Sequence, residues 1–347
     1  MGRVYLDHNA TVPLRQAARD AMIAAMDVAG NPSSVHAEGR AAKAVVERAR
    51  MQVSDALGAS GADIVFTSSA TEAAALACAG RGLKSAAVEH DAVGAWTSCD
   101  LPVDAHGLVS VVDPANSTLQ LANSETGVVQ QLPEGLAVSD MTQAFGKLPM
   151  AFSWSGAQMA LVSAHKLGGP KGIGALVLRQ GLDVEPRIKG GGQEMGRRSG
   201  TENVIGIAGF GAATAAAAQD LADGVWDRVA ELRNILEKAI EVSAKNTIFV
   251  GNESNRLPNT SCFATPGWKG ETQVMAMDLA GFAVSAGSAC SSGKVKASKT
   301  VAAMGFDESV ATSTLRVSLG PDTTEEQILR FADAWLKAER KFHAKAA

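Results

Sequence analysis

The stretch ALVSAHKLGGPKGIGALVLR, residues 160–179, sets one apolar run, Ala160–Val162, against a second, Ile173–Leu178, across a glycine-rich turn that opens on Ser163, His165 and Lys166. Short apolar runs bounded by glycine and proline read as buried strands. A lysine just past a buried strand, beside glycines that let a ligand approach the backbone, is open to desolvation. Desolvation lowers its pKa toward a free amine able to form a Schiff base. The commoner use of such a lysine is as a surface residue at a strand end, so its companions decide the matter.

Outward from this stretch, further short runs (DIVFTS 63–68, SAAVE 85–89, STLQLA 117–122, LAVSD 136–140) alternate with Ala-rich helical stretches near residues 15–29, 37–57 and 71–81. That alternation predicts an α/β sheet flanked by helices. In the second helix, Val45, Ala49, Val53 and Leu57 recur every four residues and mark a buried face. An Ala-rich stretch, 203–222, leads into VWDRVAELRNILEKAIEV, which reads as a helix connecting two domains. Beyond about residue 247 come short strands, a Ser, Gly and Ala loop around Cys290, and a last helix. That helix opens on a Thr323-x-x-Glu326 capping box and carries Ile328, Phe331, Ala332, Trp335 and Leu336 on one face.

A chain of 347 residues is long enough for two domains, since single cores stop growing near about 250–300 residues. With 46% hydrophobic and 20% charged residues the composition is that of a soluble globular protein, and no segment approaches the run of about 20 apolar residues that spans a bilayer. The opening MGRVYLDHNATVP lacks the apolar core of a signal peptide, so a cytoplasmic location is expected. Net charge is −4, from 36 acidic and 32 basic residues without long runs of either sign, which gives no surface for nucleic acid or an anionic membrane. Cys78, Cys99, Cys262 and Cys290 form no CxxC pair, and His8, His36, His106 and His343 have no metal-ligand spacing, so neither a metal site nor a disulfide framework is expected.

Lys166 does have candidate companions. Asp140 ends an apolar run with Gln143 three residues on, and a carboxylate there can hold a pyridine nitrogen protonated; a turn or helix-capping role is the usual one for a lone Asp. Ser68, Ser69, Ala70 and Thr71 sit between a strand and a helix, where free N–H groups and hydroxyls suit a phosphate, although simple capping by Ser69 or Thr71 explains them equally. His90, past another strand, is placed to stack on a ring and shuttle protons, or to be an ordinary polar strand end. Cys290, in a glycine and serine loop, is a poor core filler and a plausible reactive thiol. Arg316, inside an apolar run, needs an anion, either a substrate carboxylate or a protein one.

Taken together, YLDHNAT, GNPSSVHAEGR, FTSSATEA, EHDAV, NSETGVV, TQAFGKLP, SAHKLGGPKGIGAL, RSGTENV, SAGSACSSG and LRVSLG, running in order from residue 5 to residue 320, resemble the motifs of the pyridoxal phosphate-dependent cysteine desulfurases. The resemblance implies a fold type I transferase of class V. Its large domain, 13–228, would hold a mostly parallel mixed sheet flanked by helices, and its smaller α+β domain would comprise 1–12 and 229–347. It implies that Lys166 bears pyridoxal 5′-phosphate, that Asp140 pairs with the pyridine nitrogen, that Gln143 and Ser124 lie beside the phenolic oxygen, and that His90 stacks on the ring and carries protons. Ala70, Thr71, Ser163 and His165 match phosphate-binding positions, and Thr201 matches the residue that reaches the phosphate of a neighbouring subunit, which implies a homodimer. Arg316 matches the clamp for the substrate carboxylate. Cys290 matches the nucleophile that takes sulfur from L-cysteine as a persulfide, for delivery to an iron–sulfur scaffold or another acceptor.

Two departures stand out. Ser124 and Ala75 replace asparagines of the family motifs, and the segments 91–122 and 126–139 are shorter than the family's, too short in the second case for a crossover helix between two strands. The alternatives are a lyase of the same fold acting on selenocysteine or another amino acid, which keeps Lys166 and Asp140 without needing Cys290, or a non-catalytic sulfur-carrier or scaffold-binding subunit. Against the latter stands the complete set Lys166, Asp140, Gln143, His90, Cys290 and Arg316.

Overall fold

The computed structural model describes residues 2–287, 290, 291, 294, 295 and 297–346. After β1 (Val4–Tyr5) come α1 (Gln16–Met26), α2 (Ala37–Leu57), β2 (Asp63–Thr67), α3 (Ala70–Cys78), β3 (Lys84–Ala86), the single turn α4 (Asp91–Gly94), β4 (Ser98–Leu101), β5 (Ser139–Asp140), β6 (Met159–Ser163) and β7 (Gly174–Leu178). There follow α5 (Val204–Ala222), α6 (Val225–Ser243), β8 (Ile248–Phe249), β9 (Thr260–Ala264), α7 (Gly270–Leu279), β10 (Phe282–Ala283), β11 (Ser285–Ala286), β12 (Cys290–Ser291), β13 (Lys294–Val295), α8 (Lys299–Ala303), α9 (Glu308–Ala311), β14 (Thr314–Ser318) and α10 (Glu325–Ala346).

The stretch around Lys166 is the centre of the first sheet, whose order is β2-β7-β6-β5. Parallel bridges from Val138 to Thr118 and from Ser117 to Lys84 carry it on to β3 and β4, which pair in parallel. Within it β7 alone runs against its neighbours, pairing antiparallel with both β2 and β6. Alternation sorts the side chains. Ile64, Phe66, Ala160, Val162, Ala175 and Val177 share a core with α1, α2 and α5, while Val65, Met159, Leu161, Leu176 and Leu178 pack with α3 on the other face. α2 buries Val46 with Ala49, Val53 and Leu57, not the expected Val45, because spacings of three and four keep to one stripe better than fours alone. α5 is long and apolar enough to cross a membrane by composition, yet it buries Ile207, Phe210, Ala213 and Ala217 in the first core beside α1 and α2.

A second core gathers around the antiparallel sheet β11-β14-β9-β8 with α6, α7 and α10. The expected boundary near residue 228 falls inside α6, whose Trp226, Val229, Leu232, Leu236 and Ile240 all face this core. β1 pairs in parallel with β10, and Val4 and Leu6 lie in the same core. The capping box of α10 is Thr324 with Gln327, each backbone N–H held by the other's side chain, one residue later than expected. Thr323 instead accepts the Gly320 N–H.

Between α4 and β6 no α-helix occurs, as the missing length implies. Val109, Val111, Leu121, Leu132 and Met150 cover the first core there. Buried polar side chains hold these loops: Gln130 accepts the Val109 N–H and donates to the Gly107 carbonyl, and Ser139 Oγ donates to the Leu119 carbonyl. Asn123 donates to the Val88 carbonyl and accepts N–H groups from Glu125 and Thr126.

Candidate active site

The ends of β2, β5 and β6 meet at a cavity of about 190 Å³. This is the edge at which an α/β sheet binds ligands. The turn after β2 contributes Ser69, Ala70 and Thr71; the turn after β5 contributes Asp140 and Gln143; the turn after β6 contributes Ser163, His165 and Lys166. His90, Gln120, Ala122 and Ser124 also line it.

At one end, Ser69 caps α3 by accepting the Glu72 N–H, and Glu72 accepts the Ser68 N–H. The first turn of α3 therefore points its remaining N–H groups, with the Thr71 hydroxyl, at the cavity's edge. Gly174 makes this possible, because a Cβ there would lie 2.7 Å from the Val162 carbonyl oxygen and 2.9 Å from the Ala70 nitrogen. At the other end, Asp140 Oδ1 accepts the Thr142 N–H at 2.9 Å. His90 Nδ1 accepts the Ala92 N–H, which puts the ring proton of the neutral form on Nε2. His165 Nδ1 lies 3.2 Å from Thr11 Oγ1, and burial, with help from Lys166, holds its pKa down at about 4.

The Lys166 amine donates to the backbone carbonyls of Asn9 at 2.7 Å and Ala10 at 3.0 Å. Burial, then the Arg316 charge, lowers its pKa to about 8 against the opposing pull of Asp140 and Asp7. An anion-binding end, a carboxylate at the far end and a partly deprotonated amine between them form a donor set that fits pyridoxal phosphate: phosphate on α3, ring nitrogen on Asp140, carbonyl carbon on Lys166.

Thr201 and Arg316 do not line this cavity. Thr201 lines a separate cavity of about 180 Å³ with Ser68, Gly172 and Arg198. The approach to it bends through Glu194 and Met195, both with positive φ (48° and 59°). Arg50 grips the buried Glu194 carboxylate at 2.9 and 3.0 Å, and that carboxylate also takes the Phe66 N–H. Arg316 is engaged by Asp7 at 2.7 Å and by the Ser124 carbonyl at 3.0 Å, and among the described residues its buried Nε has no partner. Cys290 is described by its backbone alone, paired with Val295, and its side chain lies outside the described residues. Among the other cysteines, burial pushes Cys78 up to about 12 and Cys262 well above the usual thiol range, which leaves both as thiols at neutral pH.

Sequence reasoning missed a buried polar shell. Asn9 bonds Ser318, Ser124 and Thr260, and Lys147 bonds Gln143. Glu89 accepts the Gln120 N–H, and burial, with the Asp140 charge, raises its pKa to about 8. Glu125, half-buried with its carboxyl enclosed and raised in pKa by desolvation, accepts from Ser298 Oγ at 2.8 Å, and its Oε1 lies so close to Gly287 that a Cβ there would sit 1.8 Å away. Gly287 and Ser298 flank the segment that carries Cys290.

The fold and this arrangement of amine, carboxylate and anion site define a pyridoxal phosphate enzyme of fold type I. Within that class, the chain belongs to the class V aminotransferase family, whose model matches residues 4–93 and 113–331. It is similar to the cysteine desulfurase IscS of Dictyoglomus turgidum, 34% identical over 363 residues that cover 94% of this chain and 91% of that one. Among solved structures, the NifS-like protein of Rickettsia africae superposes with a TM-score of 0.87 at 31% identity, covering 96% of this chain and 99% of its own. SspA, solved in complex with cysteine, superposes with a TM-score of 0.75 at 28% identity, covering 92% of this chain and 100% of its own.

Proposed function

We propose that this chain is a pyridoxal phosphate-dependent cysteine desulfurase that converts L-cysteine to L-alanine and takes the sulfur onto Cys290 as a persulfide, for iron–sulfur cluster assembly. The observation that carries the proposal is the Lys166 amine, with a pKa of about 8, in one cavity with Asp140 and the N-terminus of α3. The similarity to desulfurases along nearly the whole chain supports it, as does the cysteine held by SspA.

Bound in the cavity, pyridoxal phosphate supplies an electron sink for the charge left on the substrate α-carbon. Lys166, largely deprotonated above about pH 8, would hold the cofactor's carbonyl carbon and, as a free amine, can take up a proton at Nζ. Asp140 holds the ring end, and Ala70, Thr71, Ser163 and His165 hold the phosphate end, with His165 neutral at physiological pH. His90, fixed through Nδ1, exchanges protons through Nε2. Arg316, oriented by Asp7, offers its guanidinium edge to the substrate carboxylate. The Cys290 thiolate attacks the substrate sulfur: an S–S bond forms, the C–S bond breaks, its electron pair passes to carbon, and protonation there yields alanine.

The same proposal extends to a homodimer in which Thr201 serves the neighbouring site, to a two-domain division with 1–12 joined to the C-terminal part, to a cytoplasmic location and to a protein acceptor for the sulfur. Its test is to follow sulfide and alanine together from L-cysteine under reductant, in wild type, Lys166→Ala and Cys290→Ser. Equal yields of both products, lost in both variants, are expected. Wild type that binds pyridoxal phosphate and yields no alanine would overturn the assignment.

A further inference from the structure

Lys147 is among the most deeply buried large side chains of the protein, with 2% of its surface exposed. A lysine so placed ordinarily has a carboxylate against it. Among the described residues, none lies within ion-pair distance of this one, and its amine meets two amide oxygens instead: Gln143 Oε1 at 2.8 Å and Asn9 Oδ1 at 3.4 Å. The charges that face it, Lys166 and Arg316, are both positive and act with burial to hold its pKa well below the lysine range. A neutral amine has two N–H donors, which matches the two acceptors.

We propose that Lys147 is a positioning residue that fixes the orientation of the Gln143 and Asn9 side-chain amides, so that Gln143 presents N–H, not C=O, to the Lys166 cavity. An amide's two ends are nearly equal in shape, and the bonds around it decide which way it faces. With Oε1 held by Lys147, Gln143 turns Nε2 the other way, donates one hydrogen to the Asn9 carbonyl at 2.9 Å and keeps the second for a ligand. Asn9, its Oδ1 shared between Lys147 and Asn259, donates through Nδ2 to the Ser124 carbonyl and Thr260 Oγ1. The Asn9 backbone carbonyl is also where the Lys166 amine rests. One buried amine therefore sets two amides and, through them, the surroundings of the reactive lysine.

This assignment rests on the cofactor reading above, in which Gln143 lies beside the phenolic oxygen. A donor there stabilises the anionic oxygen and favours proton loss from the Lys166-linked cofactor, whereas a flipped carbonyl opposes it. The test is the pH titration of the visible band of the cofactor-loaded protein in wild type, Lys147→Met, Gln143→Ala and the double variant. Lys147→Met, nearly the same shape, is expected to load cofactor and to titrate about one pH unit higher, with no further shift when added to Gln143→Ala. Lys147→Gln, which keeps an N–H donor and serves if the Met variant does not fold, is expected to return toward the wild-type midpoint. An unchanged midpoint in Lys147→Met, or a full shift persisting in the Gln143→Ala background, overturns the assignment while leaving the cofactor reading intact. Wild type without a visible band overturns both.

Discussion

The two halves of the first sheet are built on different physics. β2, β7 and β6 are sheathed by α1, α2 and α5 on one face and α3 on the other, and their inward residues are almost all apolar. Between residues 95 and 139 the chain has no α-helix, and beyond the short β3–β4 ladder it pairs through single bridges; Glu89, Gln120, Asn123, Gln130 and Ser139 hold it by hydrogen bonds to backbone. Apolar burial is non-directional and blind to pH. A carboxyl enclosed among backbone groups is neither. The cavity lies where the halves meet, with Lys166 on the sheathed side and His90, Ser124 and Asp140 facing it from the looped side.

The comparison can be broken most sharply in the sheathed half. Phe210, fully buried against Phe66, is expected to cost about 3–5 kcal/mol when changed to alanine, with the loss independent of pH between 5 and 9. Chemical denaturation at both ends of that range would show it.

Glu89 should behave oppositely. Its folded pKa of about 8 lies above the ordinary 4.5, so the folded state keeps its proton while the unfolded state loses it. The protein loses stability as pH rises from about 4.5 to about 8, and the cost is constant above that. Glu89→Gln is expected to remove that slope, gaining roughly 4–5 kcal/mol at pH 9 and nothing at pH 4. A parallel pair of stability curves for wild type and variant would contradict it.

Asn123→Ala removes a donor to Val88 and an acceptor of two backbone N–H groups, and about 2 kcal/mol is expected, with faster amide exchange confined to residues 120–130. Gln130→Leu, which frees the Val109 N–H and the Gly107 carbonyl nearer the surface, is expected to cost about 1 kcal/mol. If either loop variant loosened the amides of β6 and β7 as well, the halves would form one cooperative unit and the contrast would fail.

How legible each half is follows from the same difference. The turn around Lys166, the helices of the sheathed half and the face of α10 are written in hydrophobic period, which a sequence displays directly. So are the residues at strand ends: Ser163, His165, Lys166, Asp140 and Thr71 come to one cavity because each follows a strand of the same sheet. Residues 117–122 read as a strand, yet only Ser117, Thr118 and Ala122 make bridges, since the pairing there depends on side chains far away in sequence. Lys147 stands one helical turn after Gln143, a spacing that signals contact, but nothing in composition says that a lysine is buried. Asn9, Glu89 and Glu125 are invisible for the same reason: their partners lie as far as 309 residues away.

That distance also sets an order of events. β1 pairs with residues 282–283, and the Asn9 N–H binds Ser318 Oγ. While the chain is being made, the sheathed half of the first sheet is complete once residue 222 has emerged, but its reactive lysine has no Asn9 carbonyl to rest on until nearly a hundred more residues have followed. The opening segment waits, unpaired, for residues 282–318 to reach it, so the site closes only after the sheathed half has formed.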